Sequence, residues 1–214
     1  MTTKVKVCGV VDPHNAWTAV SLGADFLGLN FYPRSPRYVG PGRAQEIAEA
    51  VRGKAILVGV FVDASPSEIE DTVARVGLDL VQLSGDEEPA PFAHLASRLI
   101  KGFRTGGDPG DEALSPWADG WGLLFDAPHE SLYGGTGKSW DYDAVSRIMD
   151  RLAGRRVFLA GGLGPDNVRQ AIAAARPFAV DVCSRVESAP GIKDPELLRR
   201  LFEEVRNAQV QDAP

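Results

Sequence analysis

Cys8 is the residue near the start of the chain whose type and position best suit proton transfer. It ends the run K-V-K-V-C and is followed by Gly9. A thiol acts as a base or a nucleophile when its surroundings lower its pKa. Lys6 stands two residues earlier, and a nearby ammonium charge favours the thiolate. Free cysteine is also among the most buried residue types, so Cys8 alone leaves a packing role open.

Asp126 is a second candidate, at the end of the run L-L-F-D. A carboxyl group at the end of a strand can donate or accept a proton in a catalytic site. The same residue type also caps helices and forms structural ion pairs, and both of these roles stay open here.

Two glycine-containing segments late in the chain suggest an anion site. They read A-G-G-L-G-P-D-N, with Gly161 and Gly162, and C-S-R-V-E-S-A-P-G-I-K-D, with Ser184 and Arg185. Glycines let backbone N–H groups approach a phosphate closely, although they also serve in tight turns. Gly135, in G-G-T-G, either adds a third wall to this site or acts as a loop hinge.

Short β-branched runs that alternate with helical patterns must position these residues. The predicted strands are Val5–Val7, Phe26–Phe31, Ile56–Val62, Leu80–Leu83, Leu99–Phe103, Gly122–Phe125, Val157–Leu159 and Ala179–Val182. Amphipathic segments such as S-P-S-E-I-E-D-T-V-A-R-V-G follow several of them, with Ser65 and Gly77 as start and stop signals. This alternation predicts an α/β fold with a parallel sheet.

Eight βα units in 214 residues fit a single (β/α)8 TIM barrel with eight parallel strands. A doubly wound open sheet is the competing fold, but the first strand is followed by C-G-V-V-D-P-H-N rather than by G-x-G-x-x-G. In a barrel, the strand ends and the loops after strands seven and eight form the site, which places both candidates and the glycines together. We expect residues 127–140 to cover that site and the fifth helix to be short.

Strand periodicity predicts which side chains enter the barrel. If Val5 and Val7 face the helices, Lys6 and Cys8 point inward. In the eighth strand, Asp181 points inward by the same alternation, and strand eight neighbours strand one when the barrel closes. An isolated buried charge is costly, so Lys6 is predicted to pair with Asp181. Cys183 is assigned a structural role.

Composition limits the classes of function. The net charge of −6 argues against a general nucleic-acid surface, and no apolar run is long enough to cross a membrane. The N-terminus shows no signal peptide, and the two cysteines lack metal or CxxC spacing, so we expect reduced thiols and a cytoplasmic location. The predicted domains are a catalytic barrel over residues 1–206 and a polar tail over 207–214.

The ordered motifs resemble the phosphoribosylanthranilate isomerase family of tryptophan biosynthesis over almost the whole chain. They are K-V-C-G, G-A-D-F-L-G, F-Y-P-R-S-P-R-Y-V, V-G-V-F-V, V-Q-L-S-G-D-E, L-L-F-D-A, Y-G-G-T-G-K, L-A-G-G-L-G-P-D-N-V and A-V-D-V-C-S-R-V-E-S-A-P-G-I-K-D. No single motif is decisive, but their combination and order are highly specific.

The resemblance implies an Amadori rearrangement of N-(5′-phosphoribosyl)anthranilate to 1-(2-carboxyphenylamino)-1-deoxyribulose 5-phosphate. It implies Asp126 as general acid, Cys8 as general base and Arg37 as the contact to the anthranilate carboxylate. Arg34 is a nearby competitor for that contact. It implies a small phosphorylated substrate, with no cofactor and no metal. A monomer and a homodimer both fit barrels of this kind.

Two positions depart from the family pattern. Ser84 stands where the family usually has histidine, at a position that lines the site, and Arg185 stands where it commonly has glycine. We expect Arg185 to contact the substrate phosphate.

Two other functions compete with the isomerase. One is a lyase resembling the tryptophan synthase α-type barrels, which would leave Cys8 and Arg37 without a role. The other is a phosphate-binding barrel that has lost activity or acts on a related aminoaldose phosphate.

Overall fold

Eight parallel strands close into a barrel in the computed structural model of this chain. The structure describes residues 2–105, 108–126 and 142–211. The strands are β1 Lys4–Cys8, β2 Phe26–Asn30, β3 Ile56–Phe61, β4 Leu80–Leu83, β5 Leu99–Arg104, β6 Gly122–Asp126, β7 Val157–Ala160 and β8 Ala179–Val182. Each predicted strand agrees with the observed one to within one residue at either end. The (β/α)8 prediction is therefore confirmed.

Helices on the outside of the barrel follow most of the strands. They are α1 Pro13–Leu22, α2 Pro41–Ala50, α3 Pro66–Val76, α4 Asp111–Leu114, α5 Tyr142–Arg151, α6 Val168–Ala175 and α7 Pro195–Gln211. Three 3-10 helices, Ala90–Arg98, Ser115–Trp117 and Ser184–Val186, and a small hairpin, β9 Glu187–Ala189 with β10 Ile192–Lys193, complete the described chain.

Local sequence explains where α3 begins and ends. The Ser65 hydroxyl accepts a hydrogen bond from the Glu68 backbone N–H, and the Glu68 carboxylate accepts one from the Ser65 backbone N–H. This reciprocal capping box satisfies two N–H groups that the helix cannot pair itself. Gly77 ends the helix in the left-handed region at φ 76°, which costs glycine little.

Of the connections after β4 and β5, the first differs from the predicted helical pattern and the second agrees with the prediction. The segment after β4 forms the 3-10 helix Ala90–Arg98 rather than an α-helix. It contains Pro91, which lacks a backbone N–H, and it leads into β5 without further residues. The connection after β5 is the four-residue α4 and a 3-10 turn, as expected for a short fifth helix.

Strand alternation sorts the apolar side chains into two layers. Val5, Val7, Val180 and Val182 belong to the layer between barrel and helices. A second cluster fills the barrel interior, and within it the rings of Phe26 and Phe158 meet edge to face at 5.3 Å. The inward direction predicted for Lys6 and Cys8 follows from the outward packing of the valines.

The last helix continues past the predicted boundary at residue 206. Ala208 is buried, and the Gln209 side-chain amide donates a hydrogen bond to the Thr3 carbonyl at 2.8 Å. Residues 207–211 are therefore helical and in part packed against the barrel. No helix in the described part of the chain has the length and apolar character needed to cross a bilayer.

Candidate active site

A cavity of about 390 Å³ opens at the carboxyl ends of the barrel strands. Its lining includes seven of the nine residues that the sequence singles out, namely Cys8, Arg37, Ser84, Asp126, Gly161, Gly162 and Ser184. Side chains from the strand ends converge here because parallel strands in a closed barrel all end at the same face.

Lys6 and Asp181 form a buried ion pair below this cavity. The two residues are directly paired in the register of β1 and β8, and the Lys6 Nζ lies 2.8 Å from Asp181 Oδ2. Burial alone would lower the pKa of Lys6, but the charges of Asp181 and Cys8 outweigh it and raise that pKa. The predicted pair is confirmed, and Lys6 carries its charge at neutral pH.

The second oxygen of Asp181 is not used by Lys6. Asp181 lines the cavity, and its Oδ1 is buried with no hydrogen-bond partner in the described part of the chain. A buried acceptor without a partner costs free energy, so this oxygen is ready to accept a hydrogen bond from a bound molecule.

Cys8 sits where its thiol loses its proton readily. A hydrogen bond from the Cys183 thiol lowers its pKa most, burial opposes this, and the charges of Lys6 and Lys193 lower it further. The net result is a pKa well below that of an ordinary thiol. The sequence predicted the influence of Lys6 but not that of Cys183 or Lys193.

Space for the Cys8 sulfur comes from Gly28 on the neighbouring strand. Gly28 is the register partner of Cys8, and a Cβ at Gly28 would lie 2.7 Å from Cys8 Sγ. Any larger residue at position 28 would displace the sulfur of Cys8.

Arg37 lies at the rim of the cavity in a fixed orientation. Its Nε and Nη2 donate to both oxygens of Glu187, at 2.6 to 3.0 Å. Lys193 Nζ donates to the same carboxylate at 2.7 Å. Burial would raise the pKa of Glu187, but these hydrogen bonds outweigh it and lower the pKa. Gly9, at φ 71°, makes room, since a Cβ there would lie 2.5 Å from Arg37 Cδ.

Asp126 is the last residue of β6 and is partly buried at the cavity wall. Its register partners are Arg104 on β5 and Ala160 on β7. Around the barrel, β7 and β8 separate it from β1, so Asp126 and Cys8 approach the same space from different directions. A molecule bound between them would meet a carboxyl group and a thiol on separate sides.

Ser84 pairs with a polar neighbour that the sequence did not single out. Gln82 points into the cavity from β4, and its Nε2 donates to Ser84 Oγ at 2.9 Å. A Cβ at Gly102 would lie 3.2 Å from Ser84 Oγ, so the space here is limited.

Some of the residues predicted to bind phosphate line the cavity, and Arg185 does not. Gly161 and Gly162 follow β7 with φ angles of 93° and 64°, a region that suits glycine, and they line the cavity together with Ser184. Arg185 does not line it: its Nη2 pairs with Asp166 Oδ2 at 3.0 Å on the exposed side. Gly135 and residues 127–140, predicted to cover the site, lie outside the described residues.

Sequence reasoning missed Glu187, Lys193 and Gln82, and it did not place Cys183 in the cavity wall. Glu187 and Lys193 stand in the β9–β10 hairpin, whose five strand residues are too few to show a periodic pattern. The available signal was two opposite charges six residues apart around P-G, which suits a hairpin turn.

The fold and the cavity define this chain as a (β/α)8-barrel with a thiol and a carboxyl group at its strand ends, the place where such barrels hold their catalytic residues. Residues 5–204 match the model of the family described as N-(5′-phosphoribosyl)anthranilate (PRA) isomerase. The chain belongs to this family.

Similar proteins agree with that assignment. The N-(5′-phosphoribosyl)anthranilate isomerase of Trichlorobacter lovleyi is 44% identical over 208 residues, covering 96% of this chain and 98% of the relative. A crystal structure of mutually generated monomers of the dimeric phosphoribosylanthranilate isomerase from Thermotoga maritima superposes with a TM-score of 0.83, at 33% identity, covering 96% of this chain and 99% of that one. The structure of a phosphoribosylanthranilate isomerase in complex with reduced 1-(o-carboxyphenylamino)-1-deoxyribulose 5-phosphate superposes with a TM-score of 0.84. It is 33% identical, and the match covers 96% of this chain and 100% of that one.

Proposed function

We propose that this chain converts N-(5′-phosphoribosyl)anthranilate to 1-(2-carboxyphenylamino)-1-deoxyribulose 5-phosphate by acid and base catalysis. The observation that carries this proposal is the shared cavity of Cys8 and Asp126 in a chain of the isomerase family. A similar isomerase binds a reduced form of this product, which supports a phosphorylated small molecule as the ligand.

Asp126 is the general acid of this proposal. It gives a proton to the ring oxygen of the ribose, and the C1′–O bond breaks as the anilino nitrogen supplies its electron pair. The product of this step is an open-chain Schiff base. The position of Asp126 at the strand end, partly buried, lets it hold a proton next to the sugar.

Cys8 is the general base. Its thiolate takes the C2′ proton of the Schiff base, and the electron pair of that C–H bond moves toward the iminium nitrogen to give an enolamine. Proton return to C1′ and loss of the enol proton give the ketone. The lowered pKa of the Cys8 thiol, for which Cys183, Lys6 and Lys193 are causes, suits this step.

Arg37 and the glycine turns hold the two ends of the substrate. Nε and Nη2 of Arg37 donate hydrogen bonds to Glu187, which fixes the plane of the guanidinium group. Nη1 is then the donor to the planar carboxylate of the anthranilate group. Gly161, Gly162 and Ser184 supply backbone close to the phosphate. We keep Arg185 as a candidate phosphate contact, which requires it to leave Asp166.

The cytoplasm stays the expected location, because both cysteines are free thiols and the proposed base requires a reduced Cys8. A monomer and a homodimer both remain open for this chain, and the dimeric Thermotoga maritima relative supports the second.

The test is turnover of freshly prepared N-(5′-phosphoribosyl)anthranilate, followed by its loss of fluorescence, with wild type, Cys8→Ala and Asp126→Asn. We expect wild type to turn over and each variant to lose at least about 10²-fold in kcat, the usual contribution of a general acid or base. Wild-type inactivity would favour the barrel that has lost activity or acts on a related aminoaldose phosphate. Variants as fast as wild type would overturn the assigned mechanism.

A further inference from the structure

Arg104 brings a second guanidinium group to the cavity, beside Asp126. It ends β5, and its register partner on β6 is Asp126. The backbone N–H of Thr105 donates to the Asp126 carbonyl at 3.0 Å, so the two strands stay paired one residue further. The strand pairing that places Asp126 therefore also fixes the backbone at Arg104.

Strand alternation puts Arg104 on the inner side of the barrel wall. Ile100 belongs to the cluster that fills the barrel interior, and Arg104 follows it by four residues on the same strand. Leu124 belongs to that cluster too, and Asp126 follows it by two residues. Arg104 and Asp126 both line the cavity, and Arg104 is exposed at its mouth. A guanidinium on a long, exposed side chain can reach a molecule bound there.

Among the described residues, Arg104 differs from the other cations around the site because no carboxylate holds it. Arg37 and Arg104 are the two cations of the described chain that line the cavity, and Arg37 is paired with Glu187. Below the cavity, Lys6 is paired with Asp181. Within the same part of the chain, the Arg104 side chain forms no ion pair and no hydrogen bond. Its charge is therefore available to a bound anion.

The proposed substrate carries more negative charge than Arg37 alone balances. Its carboxylate is assigned to Arg37, and its phosphate monoester adds a charge of about −1.5 to −2 near neutral pH. The glycine turns and Ser184, which are assigned to the phosphate, offer neutral donors. Arg185 is paired with Asp166 at 3.0 Å. A guanidinium suits the phosphate because its planar N–H groups can donate to two oxygens at once.

We infer that Arg104 is a substrate-binding residue of this barrel: its guanidinium donates to the phosphate group of the bound substrate. β6 alone separates β5 from β7, and Gly161 and Gly162 directly follow β7. The inference rests on the proposed function, because the phosphate belongs to the proposed substrate. It adds a positive charge to the neutral donors of the glycine turns.

Asp126 is the competing partner for the Arg104 guanidinium, because the two residues are register partners. A guanidinium that serves only Asp126 stabilises the carboxylate left after proton transfer, so its loss lowers kcat. A guanidinium that holds the phosphate contributes to the binding of any ligand that carries this phosphate. Binding of ligands with and without the phosphate therefore separates the two roles.

The probe is the borohydride-reduced form of the proposed product, compared with the same compound after alkaline phosphatase has removed its phosphate. Titration calorimetry gives the dissociation constants for wild type, Arg104→Gln and Arg104→Lys. We expect Arg104→Gln to bind the phosphorylated compound at least about tenfold more weakly, the usual effect of losing a hydrogen bond to a charged group. Arg104→Lys keeps the charge and should stay within about threefold of wild type.

Two controls make this loss specific to the phosphate. Arg104→Gln should bind the dephosphorylated compound as wild type does, since the missing partner is already absent. Arg52→Gln is the matched control variant, because it removes the same charge from an exposed pair with Glu49 just after α2. An exposed pair contributes little, so Arg52→Gln should bind both compounds like wild type.

Turnover provides a second readout of the same role. KM of Arg104→Gln should rise about tenfold, with kcat within about twofold of wild type, since a phosphate contact far from the reacting atoms holds substrate and transition state alike.

Three results would overturn the inference. One is an Arg104→Gln dissociation constant for the phosphorylated compound equal to that of wild type. Another is an equal loss of affinity for both compounds, which would place the guanidinium on the carboxylate or the sugar. The third is a lower kcat with unchanged binding, which would assign Arg104 to Asp126.

Calorimetry needs no turnover, so it separates this inference from the proposed function. A wild-type protein that binds the reduced product but does not turn over the substrate would contradict the isomerase alone. A wild-type protein that binds neither compound would overturn both proposals.

Discussion

At the scale of single residues, the lowered pKa of Cys8 depends on neighbours that are themselves fixed by other contacts. Cys183 donates to it, and Lys6 and Lys193 add positive charge. Lys6 is in turn held by Asp181, and Lys193 by Glu187. These contacts lower the pKa of the proposed base without histidine, which is the residue that Ser84 replaces in the family pattern.

The buried ion pair below Cys8 should be important for stability. Lys6→Met leaves the Asp181 carboxylate buried without its partner, and we expect a loss of about 3 to 5 kcal/mol in the free energy of unfolding, measured in urea. Lys4→Met is the matched control: Lys4 pairs with Asp25 at the same 2.8 Å, but its side chain is 43% exposed. An exposed pair contributes about 0 to 1 kcal/mol. Equal losses in the two variants would contradict the role given to burial.

At the scale of elements, the register between neighbouring strands determines which residue lies beside Cys8. Gly28 stands beside Cys8 because β1 and β2 pair in parallel, and its missing side chain leaves room for the sulfur. The position of the Cys8 thiol therefore depends on the residue beside it on β2.

Gly28→Ala should displace the Cys8 sulfur and lower activity. The new Cβ would lie 2.7 Å from Cys8 Sγ and must displace it, so we expect at least about a tenfold fall in kcat, since small misplacements of reacting groups can cost up to about 10²-fold. Gly42→Ala, in α2, is the control, because nothing lies within 4 Å of a Cβ there. Unchanged kcat in Gly28→Ala would show that the sulfur has room to move.

The strands could be predicted from sequence because each is a short apolar run, and alternation correctly turned Lys6 inward. The pairing of Lys6 with Asp181 followed from barrel closure. The Glu187 and Lys193 contacts could not be predicted, because they depend on the short hairpin after β8 and not on any periodic pattern. The position of Cys183 in the cavity wall was not predicted either, since it depends on how the two ends of the chain meet in the barrel.

At the scale of the whole molecule, the contacts between Arg37, Glu187 and Lys193 tie the loop after β2 to the hairpin after β8 across the top of β1. The first and last parts of the chain are thereby joined at the site as well as in the sheet.

These contacts should make stability depend on pH. The pKa of Glu187 is lowered in the folded state, because hydrogen bonds from Arg37 and Lys193 outweigh the burial that would raise it. Its stabilisation is complete above the unfolded pKa of about 4.3 and is lost as the pH falls through the folded value. We expect Tm to fall less between pH 5 and pH 3 in Glu187→Gln than in wild type.

The control for this measurement is Glu46→Gln, whose carboxylate pairs with Arg43 on the exposed surface of α2. That variant should keep the wild-type slope of Tm against pH. If Glu187→Gln also keeps the wild-type slope of Tm against pH, Glu187 is not a source of the acid sensitivity.

The central claim is that the thiolate of Cys8 is the base of the isomerisation. The most direct test compares two pH profiles of the wild-type protein: kcat/KM for N-(5′-phosphoribosyl)anthranilate, and the alkylation rate of Cys8 mapped by mass spectrometry. Both should rise with the same apparent pKa, below the usual thiol value of about 8.5, because the base works only when it has lost its proton. Full activity at pH values where Cys8 is still protonated would contradict the claim.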